Sequence, residues 1–152
     1  MSSVKSLALA IELATQKRDQ AARNLVTAQR AYLAAEGQRE HLQDYSRETA
    51  SKWAAGAKTL TSPELLRHHY QFMERLQQAI DMQGQVITDL GQRVEATKKL
   101  ALEAEARLAA LKQVLKKKQG EHARTQARRE QRQMDEMAGM MHRRMATNGE
   151  GR

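Results

Sequence analysis

The sequence predicts an all-α fold: a long antiparallel two-helix coiled-coil hairpin with a basic C-terminal helical overhang. The composition points away from a globular core, because the 152 residues include one Phe, one Trp, three Tyr and one Pro, and 29% are charged. Such a composition is typical of long helices. Two stretches place apolar residues in alternating steps of three and four, which average about 3.5 residues and form one apolar seam per helix. Each seam must pack against another helix.

Helix one is predicted over about residues 4–55, and its seam begins at Leu7. Ten of the fourteen seam positions are apolar. The positions are Leu7, Ile11, Ala14, Arg18, Ala21, Leu25, Ala28, Tyr32, Ala35, Arg39, Leu42, Ser46, Thr49 and Trp53.

A turn is predicted at 56–62, and helix two at about 63–145. Pro63 suits the first helical turn with Ser62 as the N-cap, and a capping box of Thr61 and Glu64 is the alternative. Twelve of the sixteen seam positions of helix two are apolar. The positions are Leu66, His69, Met73, Leu76, Ile80, Gln83, Ile87, Leu90, Val94, Thr97, Ala101, Ala104, Leu108, Leu111, Leu115 and Lys118.

The short connection predicts an antiparallel hairpin, in which paired residues have numbers that add up to roughly 118. Helix one then runs out opposite about residue 113, so helix two continues alone as the overhang. Residues 1–145 are predicted to form a single domain, and residues 146–152 a disordered tail.

The overhang is basic and rich in methionine. Residues 112–145 carry ten Lys or Arg against four Asp or Glu, and Met134, Met137, Met141 and Met145 follow one another at helical spacing. This charge favours an anionic partner: nucleic acid, a lipid surface or an acidic protein cavity. Binding to nucleic acid is the weaker reading, because the overhang lacks aromatic residues for base stacking.

No enzymatic function is expected, and neither is a metal, a cofactor or a small-molecule substrate. There is no cysteine, and none of the five histidines forms the paired i, i+4 arrangement of a zinc site, so we expect solvated histidines. A thin rod also offers no deep pocket for catalysis. With no secretory signal and no run of eighteen apolar residues, a soluble cytoplasmic protein is expected.

Two features leave a choice of interpretation. Gly84 and Gly91 are either exposed glycines or points of close approach by another helix. Four of the five aromatic residues, Tyr45, Trp53, Tyr70 and Phe72, fall near the predicted turn. They either staple the turn or form a protein-binding patch.

The segment His69-Tyr70-Gln71-Phe72-Met73 and the run from Arg129 to Glu136, together with the length and the hairpin plan, resemble the FliJ family of the flagellar type III export apparatus. The resemblance implies an adaptor that binds the export ATPase (FliI-type) hexamer, the export gate protein (FlhA-type), the ATPase regulator (FliH-type) and export chaperones. It implies a location at the cytoplasmic face of the inner membrane.

Two groups of site residues follow from the resemblance and the hairpin geometry. Gate binding is expected at Gln38, Leu42, Tyr45, Phe72, Leu76 and Ala79. Binding of the ATPase is expected at Arg124, Arg128, Arg129, Arg132, Met134, Met137 and Met141. The sequence departs from the family at Thr49, where an aromatic is expected, and at Gln83, where a histidine is expected.

Three other functions stay open at this point. They are a nucleic-acid-binding coiled coil, a structural coiled-coil protein, and the equivalent stalk of a non-flagellar type III secretion system.

Overall fold

The computed structural model describes residues 2–56 and 62–150, which form two long helices that pack against each other. Helix α1 comprises Ser2–Gly56 and helix α2 comprises Pro63–Glu150. No strand occurs in these two ranges. The predicted all-α helical hairpin is therefore confirmed.

Helix α2 begins with a side-chain cap at Ser62. The backbone N–H of Leu65 donates to Ser62 Oγ at 3.2 Å, and the N–H of Leu66 donates to the Ser62 carbonyl at 3.1 Å. Pro63 then occupies the first helical position, where no N–H is needed. The N-cap at Ser62 is confirmed, whereas Thr61 of the alternative capping box lies outside the described residues.

The predicted seams coincide with the least exposed side of each helix. Every seam position of α1, and every seam position of α2 as far as Leu115, is buried or half-buried, while Lys118 is exposed. Buried positions include Ala14, Ala28 and Ala35. Because alanine buries little apolar area, the seam of α1 stabilises the pair less than a leucine seam would.

Contacts group the chain into two compact units, of which one is Lys17–Glu105. Within it, Trp53 meets His69, Tyr45 meets Phe72, and Gln38 meets Gln83. The residue numbers of these pairs add up to between 117 and 122, close to the predicted sum. The two helices of this unit are thus antiparallel, in nearly the predicted register.

The other unit combines Met1–Gln16 with Ala106–Arg152. Ala14 and Leu108 are its buried residues. From Glu121 to Gly149 every residue is exposed except Gly139. Among the described residues, none packs over this part of α2 closely enough to bury it.

Both helices extend slightly beyond their predicted bounds. Helix α1 includes Gly56, and α2 continues to Glu150 instead of ending near 145. The hydroxyl of Thr147 donates to the Arg143 carbonyl, a bond that is made within a regular helix. Residues 146–150 of the predicted tail are thus helical in the structure. Most of the predicted turn, residues 57–61, lies outside the described residues.

Candidate protein-binding sites

The six residues expected at the gate, here called the tip patch, lie on facing turns of the two helices in the unit Lys17–Glu105. Helix α1 carries Gln38, Leu42 and Tyr45, and α2 carries Phe72, Leu76 and Ala79. Each set has the i, i+4, i+7 spacing that keeps three side chains on one helical face. The structure brings the two faces together at Tyr45 and Phe72.

The aromatic rings of the tip patch contact each other edge to face. The ring centroids of Tyr45 and Phe72 are 6.1 Å apart, and the ring planes form an angle of 79°. Tyr45 is nevertheless 52% exposed and Phe72 41% exposed. Such a pair lends order to the two rings and still leaves about half of their surface open to a partner.

The less exposed part of the tip patch is apolar. Leu76 is 8% exposed, and Leu42 and Ala79 are half-buried. Exposed aromatic side chains beside a buried aliphatic one are typical of the centres of protein–protein interfaces.

Gln83 binds the opposite helix through two hydrogen bonds. Its Nε2 donates to the Ala35 carbonyl at 3.0 Å and to Gln38 Oε1 at 3.1 Å. The glutamine thus fixes the side chain of Gln38 at one end of the tip patch. Thr49, the second departure from the family pattern, is half-buried on the seam.

A parallel ring stack between Trp53 and His69 was not anticipated. The ring centroids are 4.1 Å apart and the planes differ by only 3°. His69 also lies 5.9 Å from the ring of Tyr70. The prediction of solvated histidines is therefore wrong for His69, because its seam position turns the imidazole toward α1. The seam position of His69, which the sequence indicates, could have predicted that this side chain faces α1.

The predicted ATPase-binding residues are all exposed and lie on α2. At 100° per residue, Met134, Met137 and Met141 cluster on one side of the helix. The four arginines are centred roughly 180° away. The residues on that opposite side are Arg124, Arg128, Arg129 and Arg132.

The overhang arginines have no acidic partner in the described part of the chain. The ion pairs there involve Arg18, Arg47 and Lys52, all on α1. The charge of the overhang therefore stays available for an anionic surface, and the methionines give it a flexible apolar side.

Neither range of the structure, 2–56 or 62–150, brings together three or more residues of the metal-ligating types. In those same ranges no helix has a segment long and apolar enough to cross a membrane.

A family model for the flagellar FliJ protein matches residues 3–147. No curated protein matches the chain significantly. No solved structure does so either. The match covers nearly the whole chain and includes both helices, the tip patch and the methionines of the overhang. The chain therefore belongs to the FliJ family of flagellar proteins and is a component of the flagellar export apparatus.

Proposed function

We propose that the chain is a non-enzymatic adaptor that links the export ATPase to the export gate. In this proposal the tip patch binds the gate protein (FlhA-type), and the basic overhang binds the ATPase (FliI-type) ring. The observation that carries the proposal is the half-exposed pair of Tyr45 and Phe72 above the buried Leu76. Stapling of the turn explains the contact between the rings but not the area that they leave exposed.

The two opposite faces of the overhang support binding inside a ring. A helix that docks on a flat surface uses one side, whereas a helix surrounded by subunits makes contacts all round. The arginines supply charge-assisted hydrogen bonds on one side, and the methionines supply adaptable apolar contacts on the other. Because the overhang arginines form no ion pair within residues 2–56 and 62–150, an acidic lining of the ring suits them.

Further partners and the location follow from the family. We include the ATPase regulator (FliH-type) and export chaperones among the partners, and we expect the chain at the cytoplasmic face of the inner membrane. It would reach the membrane through these partners. The flagellar family also favours this role over nucleic-acid binding, over a structural coiled coil, and over a non-flagellar secretion stalk.

Binding of the gate is tested with Tyr45→Ala and Phe72→Ala. Each variant should lose roughly 30-fold in affinity for the gate protein, which corresponds to about 2 kcal/mol for a hot-spot residue. Tyr70→Ala is the matched control, since Tyr70 is an exposed aromatic only two positions from Phe72 and points about 160° away. Circular dichroism confirms that each variant is folded, because Phe72 is partly buried. Equal affinities for all three variants would show that the tip patch only holds the two helices together near the turn.

Binding of the ATPase is tested by charge reversal of Arg128, Arg129 and Arg132 to Glu. This variant should lose ATPase binding and keep its helicity, because the three side chains are exposed. A matched control reverses three exposed arginines outside the overhang, Arg23, Arg30 and Arg67. If both triple variants bind the ATPase like the original chain, the contact lies elsewhere.

A further inference from the structure

A groove of about 320 Å³ opens between the helices within the unit Lys17–Glu105. Its lining includes the apolar residues Ala28, Ala31 and Leu90 and the polar residues Asn24 and Arg93. The groove exists because two alanines face Leu90, where larger side chains would fill the space. None of these five residues belongs to the tip patch.

The groove and the tip patch lie on one face of the helix pair. In a coiled coil, residues seven apart share a face. Steps of seven lead along α1 from Asn24 to Tyr45 and along α2 from Phe72 to Arg93, through Ala31 and Gln38 on α1 and Ala79 and Val86 on α2. The face between the aromatic pair and the groove is thus about 21 residues or 30 Å long.

Five of the eight residues on this face are apolar, and Asn24, Gln38 and Arg93 are polar. Val86 is an exposed large hydrophobic residue, and Met82, one turn before it on α2, is 71% exposed. Ala31 and Ala79 leave low points between the larger side chains. A strip of exposed apolar side chains with polar residues among and around them is typical of a surface that binds a partner.

The polar end of the strip, at Asn24 and Arg93, offers hydrogen-bond donors. The guanidinium of Arg93 has no hydrogen bond or ion pair among the described residues. The hydroxyls of Thr27 and Thr97, which also line the groove, donate to carbonyls of their own helices. The amide oxygen of Asn24 accepts from Gln20, so its amide nitrogen remains available to donate. Two free donors at a groove select an acceptor, and guanidinium prefers a carboxylate.

We propose that this strip seats one amphipathic helix of a partner protein, about six turns long. The apolar residues of the partner helix lie on Val86 and on the rings of Tyr45 and Phe72. An Asp or Glu at the opposite end of the partner helix binds Arg93. Helices that dock in this way use anchors at intervals of three and four residues. A second copy of the chain is the poorer occupant, because two chains of net charge +8 repel each other. The inference rests on the proposed role of the tip patch and adds a second, charged anchor to it.

The test measures binding of the full-length chain to the purified cytoplasmic domain of the gate protein from the same organism. Arg93→Glu should lower the affinity at least tenfold, and Arg93→Lys should lower it less, because lysine keeps the charge without the bidentate geometry. Arg30→Glu is the matched control. Arg30 is exposed and points about 160° away from the buried Ala28 and about 100° away from Ala31 on the strip.

A photo-crosslinking residue at position 86 adds a second readout. It should form a covalent product with the same gate domain, and the same residue at position 30 should form none. If Tyr45→Ala weakens binding while Arg93→Glu behaves like Arg30→Glu, the second anchor is refuted and the proposed function stands. If neither variant weakens binding, both proposals fail. A dimer of the chain that Arg93→Glu dissociates would assign the strip to a second copy and would also refute the proposal.

Discussion

Replacing interior glycines by alanine should stabilise the helix pair. The gain should depend on the space around each glycine. Gly37, Gly84 and Gly91 lie inside long helices, where Gly costs about 1 kcal/mol relative to Ala. A Cβ at Gly37 would meet nothing within 4 Å, and one at Gly84 only the Nη1 of Arg39 at 4.0 Å. At Gly91 it would meet Cε2 of Tyr32 at 3.4 Å, which is ordinary contact.

We therefore expect a gain of about 1 kcal/mol for Gly37→Ala and for Gly84→Ala, and about 0.5 to 1 kcal/mol for Gly91→Ala. Urea unfolding of the full-length chain measures these gains as a higher midpoint with an unchanged slope. Binding of the gate should not change, because none of the three lies in the tip patch. A loss of stability at Gly91 with a gain at Gly37 would show that α1 approaches α2 more closely than the structure has it.

Two further predictions concern packing. Leu108→Ala should cost about 2 to 5 kcal/mol because Leu108 is 3% exposed, whereas Leu100→Ala should cost less than about 1 kcal/mol because Leu100 is 58% exposed; equal costs in urea unfolding would contradict the seam. His69→Ala should remove a ring stack worth about 0.5 to 1.5 kcal/mol and change the fluorescence of Trp53, the single tryptophan. An unchanged emission spectrum would show that the two rings do not stack in solution.

The seams and the N-cap could be predicted from the sequence because they depend on local periodicity and on one residue's chemistry. A step of three and four decides which side of a helix is buried, whatever the partner's details. Ser62 before Pro63 likewise admits few backbone conformations. The contact between Tyr45 and Phe72 followed once the seams and the short connection fixed the register.

The groove and the bonds of Gln83 could not be predicted in this way. They depend on where individual side chains point, and periodicity does not specify rotamers. Gly91 illustrates the difference, because both readings of it were compatible with the sequence. Its outcome depends on Tyr32, whose ring lies over that glycine. An added Cβ would lie 3.4 Å from that ring, an ordinary van der Waals distance, so the structure shows a side-chain neighbour at Gly91 and no close approach that requires glycine.

The two hydrogen bonds of Gln83 have a consequence for alignment. The seam of α1 repeats alanine every seven residues at Ala14, Ala21, Ala28 and Ala35, so packing in this part distinguishes neighbouring alignments less sharply than varied large side chains would. A polar side chain at a core position adds to the register that the short connection sets, because its hydrogen bonds form fully in one alignment. Slippage by one heptad would shift Tyr45 from Phe72 by about 10 Å along the axis. The hydrogen bonds of Gln83 thus help to keep the α1 residues and the α2 residues of the tip patch opposite each other.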